Sequence, residues 1–388
     1  MTPPGLRIGV DVRYLSHRLV GGVHTYVARL LPALLDAASG HTFVLYADDK
    51  APLELTDTAG ALVRTLRWRH QGSSVWNDHM LARSMAADGI DVAFFPANYG
   101  FGPRRAATVV TVHDAINLLP LRHTLVVRGH AATLRTSAMT VYLHVTTRQA
   151  VRRATRLITL SSYARDTIVA ASTRRSDDID VVPHGTPPAA AVTPADIERV
   201  RRAHGLTGAY VLADGLKNPG VLLRAAARLA PDVRRAHTLV FFARHAQVLP
   251  VLASAAAAGE ARLLVNPSRS DLAALYAGAS AFVFPSWIEG FGLPLLEAMS
   301  YGTPIIASDR GAIPEVAGDA AILVDAEDDP RLAQALHDVL MRPETAAALR
   351  AAGAARGRQF TWRRSAEQTL EALQRAHAMH TGAGRAAP

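Results

Sequence analysis

The strongest constraint on the fold is an alternation of short apolar runs with helical patterns, which predicts parallel strands joined by crossover helices. The first apolar run surrounds Ile8 and Val10. From Val23 to Leu35, apolar residues recur at the three- and four-residue spacing of a buried helix face. Further candidate strands in this half are 42–46, 91–95, 107–112, 156–160 and 179–183. The first half therefore predicts a doubly wound α/β domain.

The alternation breaks between residues 186 and 208, where prolines and an alanine run are typical of a linker that ends in one helix. A second series follows, with candidate strands at 210–213, 238–243, 261–265, 281–285 and 304–308. A length of 388 residues also favours two domains. We therefore predict an α/β chain with two Rossmann-like domains across a cleft, residues 1–185 and 209–358, joined by a linker at 186–208.

The composition excludes several classes of protein. The chain has no cysteine, which excludes disulfide frameworks, thiolate metal sites and cysteine nucleophiles. We find no secretory signal and no apolar run of membrane-spanning length, so we expect a cytoplasmic protein that is peripheral to a membrane at most. The net charge of +9 fits either attraction to an anionic membrane or a general arginine bias. Without basic blocks interleaved with aromatics, nucleic-acid binding is disfavoured.

The segment 285–316 carries the most chemical information. A candidate strand runs into a loop that holds Glu289, Gly290 and Gly292, and a proline then stands where a helix would begin. Such a turn lets main-chain N–H groups approach a phosphate, with the positive end of the helix dipole behind them. We place Glu297 in the first turn of this helix, so that both carboxylates face one ligand and accept hydrogen bonds from its hydroxyls. Alternatively, the first glutamate is a solvated loop residue and the second only stabilises the helix.

The sequence E-G-F-G-L-P-L-L-E-A-M, followed by G-T-P-I-I-A-S, resembles the E-x7-E segment of retaining glycosyltransferases of family 4. This group, which includes glycogen synthases and mannosyltransferases, has the GT-B architecture. In the family the first glutamate contacts the donor sugar, adjacent amides hold the diphosphate, and the second glutamate holds the ribose. The resemblance implies donor contacts for Glu289, Gly290, Phe291, Gly292, Leu293 and Glu297, with Glu289 also a catalytic candidate.

The segment VVTVHDAINLLP delivers His113 and Asp114 at the carboxyl end of a β-branched strand, where ligands lie in open α/β sheets. A lone histidine is more often a structural residue than a catalytic one. The segment is similar to the family's V-x-T-V-H-D region, whose histidine lies near the reacting sugar carbon. The similarity implies that His113 contacts the donor sugar or the acceptor, and Asp114 is a further possible site residue.

The glycine pair Gly21-Gly22 follows the first strand, and glycine gives a backbone that can lie flat against a ligand. With Tyr26 close behind, it resembles the family's N-terminal glycine loop, which contacts the diphosphate or the acceptor. No G-x-G-x-x-G pattern with a later acid is present, which disfavours a nicotinamide dinucleotide site.

Lys217-Asn218 stand between a candidate strand and a helix, where an ammonium group can neutralise a phosphate. A solvated loop lysine is an equal alternative. The family carries Lys-Asn here after a longer loop with an arginine, but this loop is short and that arginine is missing. Arg244, or the pair Arg310-Gly311, is a candidate to replace it.

Weaker matches at 160–168, 181–186, 271–286 and 360–370 extend the resemblance over most of the chain. The last of them implies that a C-terminal helix, 359–380, crosses back to the first domain. We find no Asp-x-Asp metal motif, so we expect neither a metal nor another cofactor. The expected function is retaining transfer of a sugar, with mannose favoured, from a GDP- or UDP-sugar to a glycan or lipid-linked glycan. A nucleotide-sugar epimerase, or a catalytically silent homologue acting as a partner subunit, are the alternatives.

Overall fold

The structure is a computed structural model that describes residues 5–16, 22–38, 40–53, 55, 60–67, 75–121, 134–243 and 249–382. The chain divides into two compact units. The first unit comprises Met1–Gly185 and Thr361–Pro388, and the second is Thr186–Phe360. Two of the predicted donor contacts, Gly21 and Arg244, lie outside the described residues.

The first unit is built on a parallel seven-stranded sheet with the order β3-β2-β1-β4-β5-β6-β7. Its strands are β1 (Arg7–Asp11), β2 (Thr42–Asp48), β3 (Leu62–Leu66), β4 (Val92–Phe95), β5 (Ala107–Thr111), β6 (Arg156–Thr159) and β7 (Ile179–Val181). Its helices are α1 (Gly22–Ala37), α2 (Val75–Ala87), α3 (Leu134–Arg153), α4 (Ser162–Ala171) and, after the second unit, the C-terminal helix Trp362–Thr381. The central strands are buried on both faces, which is why they appear in the sequence as continuous apolar runs.

The second unit repeats this plan with a parallel six-stranded sheet in the order β10-β9-β8-β11-β12-β13. Its strands are β8 (Ala209–Asp214), β9 (His237–Ala243), β10 (Ala261–Val265), β11 (Ala281–Phe284), β12 (Ile305–Ser308) and β13 (Ala321–Val324). Its helices are α5 (Pro194–Ala203), α6 (Pro219–Ala227), α7 (Pro231–Ala236), α8 (Pro250–Ala257), α9 (Arg269–Gly278), α10 (Leu293–Ser300), α11 (Ile313–Ala317), α12 (Asp329–Met341) and α13 (Pro343–Gly357). The expected α/β class with two parallel-sheet units is confirmed.

The C-terminal helix, Trp362–Thr381, is α14 and belongs to the first unit. It packs on α1 and on the neighbouring strands β4, β5 and β6. Alanines and Leu373 form its buried face, which allows the helix backbone to approach closely. Among the residues that the structure describes, no helix is long and apolar enough to cross a membrane.

Candidate functional site

Each sheet changes strand order at its centre, between β1 and β4 in the first unit and between β8 and β11 in the second. In open α/β sheets the crevice at this point, outside the carboxyl ends of the strands, is where ligands bind. The sequence places Lys217 after β8, Glu289 after β11 and His113 after β5. The fold therefore delivers these three predicted residues to the carboxyl edges of their sheets.

Lys217 and Glu289 meet at the switch point of the second unit. The Lys217 Nζ atom lies 2.7 Å from Glu289 Oε1, and the two side chains are 34% and 15% exposed. The Ser286 hydroxyl donates a hydrogen bond to the same carboxylate oxygen at 2.8 Å. The glutamate is thus held in one position by a cation and a hydroxyl, both of which follow strands of this sheet.

The loop after Glu289 turns sharply into α10. Gly292 caps the helix with φ of 96°, a left-handed conformation that favours glycine, and Leu293 is the first helical residue. The expectation that Glu297 stands in the first helical turn is wrong, because α10 begins at Leu293 and its first turn contains no acid. Within the first turn Pro294 has no N–H group and the Leu295 N–H donates to the Gly292 carbonyl at 2.9 Å, so the features that suit an anion are the glycine loop before the helix and the positive end of the helix dipole.

The loop that follows β12 fixes the main chain of Glu289. Gly311 has φ of +64°, and a Cβ atom there would lie 2.8 Å from both the N and the O atom of Glu289. The Ala312 N–H donates a 3.0 Å hydrogen bond to the Glu289 carbonyl. Only a residue without a side chain can approach this closely, so the position of the glutamate depends on a glycine in the next loop.

Glu297 is held from the neighbouring helix α9. The Tyr276 hydroxyl donates to Glu297 Oε2 at 3.3 Å, and the tyrosine ring is buried. That ring stacks on Tyr301 with centroids 6.1 Å apart and meets the edge of Phe282 at 5.1 Å. The second acid of the predicted pair is therefore also anchored, through a tyrosine whose orientation is set by aromatic packing.

Two predicted donor contacts use their side chains to hold the fold. Phe291 is buried against Phe360, with ring centroids 5.9 Å apart. Asn218 adopts φ of 53°, and its side-chain amide donates to the carbonyls of Pro285 at 3.2 Å and Ala326 at 2.8 Å. Both hydrogens of this amide are thereby used to tie the loop after β8 to the loops after β11 and β13.

In the first unit, His113 is oriented by the loop that follows β4. Its main-chain N–H donates to Asn98 Oδ1 at 2.8 Å, and its Nε2 atom lies 3.0 Å from the Pro96 carbonyl. A carbonyl only accepts hydrogen bonds, so Nε2 carries the proton and Nδ1 of the neutral ring is left as an acceptor. Burial lowers the pKa of His113, and the Pro96 carbonyl and Asp114 only partly oppose this effect.

Aromatic and imidazole rings enclose His113. Tyr26 from α1 meets it edge-on at 5.0 Å, and His184 lies 6.1 Å away. Trp362, the first residue of α14, packs on His184 at 5.6 Å. Burial, together with the nearby His113, holds the pKa of His184 well below its usual value. The site histidine is thus enclosed by residues that are distant in sequence.

The remaining predicted residues of the first unit have local roles. Asp114 Oδ1 accepts a 2.9 Å hydrogen bond from the Ile116 N–H and so caps the short turn after the strand. Gly22 is the first residue of α1, and a Cβ there would meet nothing within 4 Å. The sequence interpretation missed Asn98 and Ser286. Both follow strands of the switch points, and this position is the signal that could have identified them.

Comparisons with known proteins identify relatives of both units. Residues 20–190 match the family model described as Glycosyltransferase Family 4, and residues 205–342 match the model described as Glycosyl transferases group 1. The O-antigen chain mannosyltransferase B of Escherichia coli is 41% identical over 102 residues, which are 26% of this chain and 27% of that protein. The D-inositol 3-phosphate glycosyltransferase of Saccharomonospora viridis is 28% identical over 301 residues, 71% of this chain and 66% of that protein. The matched region therefore spans less than two thirds of either relative.

Among solved structures, the sucrose-phosphate synthase from Thermosynechococcus elongatus matches with a TM-score of 0.69 and 20% identity, over 96% of this chain and 99% of that one. This likeness shows a shared fold. The two family models together account for most of the chain, and their boundaries follow the two α/β units. The chain belongs to the family 4, group 1 glycosyltransferases, with the GT-B type of fold.

Proposed function

We propose that this protein transfers a hexose, with retention of configuration and without a metal ion, from a nucleotide diphosphate donor to a glycan or lipid-linked glycan. Mannose from GDP-mannose is the favoured donor, because the relative that is 41% identical is named a mannosyltransferase. A UDP-sugar is the alternative. The donor would occupy the carboxyl edge of the second sheet, and His113 of the first unit would contact the donor sugar or the acceptor.

The observation that carries the proposal is the contact of Lys217 with Glu289 at the entrance of α10. A lysine, a glycine-rich turn and a helix N-terminus offer a diphosphate a cation, main-chain N–H groups and a favourable dipole. Glu289 and Glu297 add acceptors for sugar and ribose hydroxyls. The lysine, the main-chain N–H groups and the helix dipole stabilise negative charge on a leaving diphosphate, which is what sugar transfer requires of a protein that uses no metal.

The neutral His113 complements this donor site. Its Nε2 proton is committed to the Pro96 carbonyl, so Nδ1 can accept a hydrogen bond from a sugar hydroxyl. An imidazole that is neutral over the physiological pH range orients a substrate without adding positive charge beside a forming oxocarbenium ion.

The acceptor is proposed to lie at a membrane surface. Helix α3 exposes a short apolar stripe of Val141 and Val145, which lie one helical turn apart and are 40% and 45% exposed, while Met139, 40% exposed, lies on another side of the helix. The same helix ends in Arg152 and Arg153. An exposed apolar stripe that leads into cations suits the headgroup region of an anionic membrane, and would bring the protein to a lipid-linked acceptor.

Calorimetric titration with UDP, GDP and their sugars tests the donor site, and product analysis with a lipid-linked glycan tests transfer. We expect micromolar binding of one diphosphate and an α-linked product from an α-linked donor. Absence of nucleotide binding would favour the catalytically silent alternative, and turnover of the donor without an acceptor would favour the epimerase. Flotation with anionic and neutral vesicles tests the membrane contact, which the variant Val141→Glu, Val145→Glu should abolish.

A further inference from the structure

The loops at the proposed donor site hold few cations for a ligand that carries two phosphates. Those that follow β8, β11 and β12 span residues 215–218, 285–292 and 309–312. Across these segments the sequence contains two cationic side chains, Lys217 and Arg310. Lys217 is already paired with Glu289. Arg310 is therefore the second cation of these three loops, in a chain whose loop before Lys217 is short.

Arg310 stands directly beside the main-chain contact that fixes Glu289. A Cβ atom on the next residue, Gly311, would lie 2.8 Å from the N and O atoms of Glu289, and the Ala312 N–H donates to the Glu289 carbonyl. Because consecutive Cα atoms are about 3.8 Å apart, Arg310 begins one residue from the loop that enters α10. Its long side chain can therefore reach a group bound at that helix entrance.

Two exposed carboxylates hold the guanidinium. Its Nη2 atom lies 2.5 Å from Asp325 Oδ2, and its Nε atom lies 3.5 Å from Asp309 Oδ1. The arginine is 45% exposed, and the two acids are 42% and 49% exposed. Exposed ion pairs of this kind contribute only about 0–1 kcal/mol to stability. A phosphate can therefore replace the carboxylates as the partner of the guanidinium at little cost in free energy.

We propose that Arg310 is a diphosphate-binding residue, and that Asp325 competes with the diphosphate for its guanidinium. Binding moves the guanidinium from a carboxylate to a phosphate, with which it can form two parallel hydrogen bonds. Asp325 then acts as a competitor of the donor for the same arginine. This inference rests on the proposed donor site, and it predicts that changes to the two partners alter affinity in opposite directions.

The test is calorimetric titration of the full chain with UDP, GDP and the matching nucleosides. A charge-assisted hydrogen bond is worth roughly 1.5–3 kcal/mol, so Arg310→Ala should weaken diphosphate binding about tenfold or more. The same variant should bind the nucleoside as the wild type does. Asp325→Asn should tighten diphosphate binding about two- to fivefold, since its neutral side chain still accepts the Glu327 N–H bond but competes less for the guanidinium.

A matched control exists in the same unit. Arg199 and Asp271 also form an ion pair, 2.8 Å long and 50% and 24% exposed, on helices α5 and α9. Arg199→Ala should leave diphosphate affinity unchanged. Tighter binding by Asp325→Asn is a gain that misfolding cannot produce.

The outcomes separate this inference from the proposed function. If the wild type binds a diphosphate and Arg310→Ala binds it equally well, Arg310 is not a donor contact and the proposed function stands. Weaker binding by Asp325→Asn also overturns the inference, because the carboxylate would then support the site. If the wild type binds neither UDP nor GDP, both the inference and the proposed function are wrong.

Discussion

Replacing Gly311 by alanine should displace the loop that enters α10 more than it disturbs the rest of the second unit. Two costs are expected. A left-handed backbone conformation costs a non-glycine residue about 1–2 kcal/mol, and the smaller entropy of the unfolded alanine chain returns about 0.4–1 kcal/mol. The added Cβ atom would also stand 2.8 Å from the N and O atoms of Glu289, where the main chain must shift. Such overpacking typically costs about 1–3 kcal/mol.

Gly205 provides the matched control, since its φ of +63° nearly equals the +64° of Gly311, and a Cβ atom there would meet nothing within 4 Å. Urea unfolding should show a loss of about 1 kcal/mol for Gly205→Ala and about 2–4 kcal/mol for Gly311→Ala. Only Gly311→Ala should also weaken diphosphate binding, because only that change displaces the main chain of the loop that enters α10. Equal losses of stability, or unchanged nucleotide affinity in Gly311→Ala, would refute this reasoning.

The remaining predictions concern charge and protonation. Glu289→Gln should lower kcat by at least about a hundredfold while nucleotide affinity changes little, as steady-state kinetics and calorimetry can show. Chelation by EDTA should leave the transfer rate unchanged, and a rate restored by added Mg²⁺ or Mn²⁺ would contradict a metal-independent reaction. Burial lowers the pKa of both His113 and His184, so the unfolded chain binds more protons as the pH falls below about 6.5. The free energy of unfolding should therefore have its full value above that pH and should decrease below it. The variant His184→Gln should make this decrease smaller.

Much of the fold was predictable because parallel sheets are buried on both faces. Strands such as Phe282–Phe284 and Val109–Val110 must be continuously apolar, and that pattern survives in the sequence. The strand that the pattern could not identify in the first unit is β3, Leu62–Leu66, which lies at the sheet edge with almost every residue exposed. An edge strand packs few side chains, so its residues are not constrained to be apolar.

The second missed strand, β13, has a different explanation. Ala321–Val324 is a short apolar run, but three of its four residues are only partly buried, and it follows two short helical segments. Four such residues do not distinguish a strand from a buried helical turn by periodicity alone. Pairing with β12 determines the outcome, and pairing is a long-range property that the local sequence does not contain.

The candidate site was predictable to the extent that its residues follow strands. Lys217, Glu289 and His113 were identified because strand ends meet at one edge of a sheet. The contacts that orient them were not, because they join residues far apart in sequence. Ser286 could have been identified from its position, but the approach of Gly311 to Glu289 depends on the packing of two loops.

The distinction between position after a strand and contacts that are distant in sequence also applies to Asn218. Its expected role as a donor contact does not include the hydrogen bonds of its side chain. A Lys-Asn pair before a helix suggests two ligands for a phosphate, yet the amide of Asn218 donates to carbonyls in the loops after β11 and β13. The asparagine thus sets the position of the loop that carries Lys217, and its left-handed φ of 53° suits asparagine better than most other residues. An alanine at this position would leave two carbonyls without their donor and would free the lysine loop. Its effect on diphosphate binding should consequently act through Lys217, and it should largely disappear in a Lys217→Ala background.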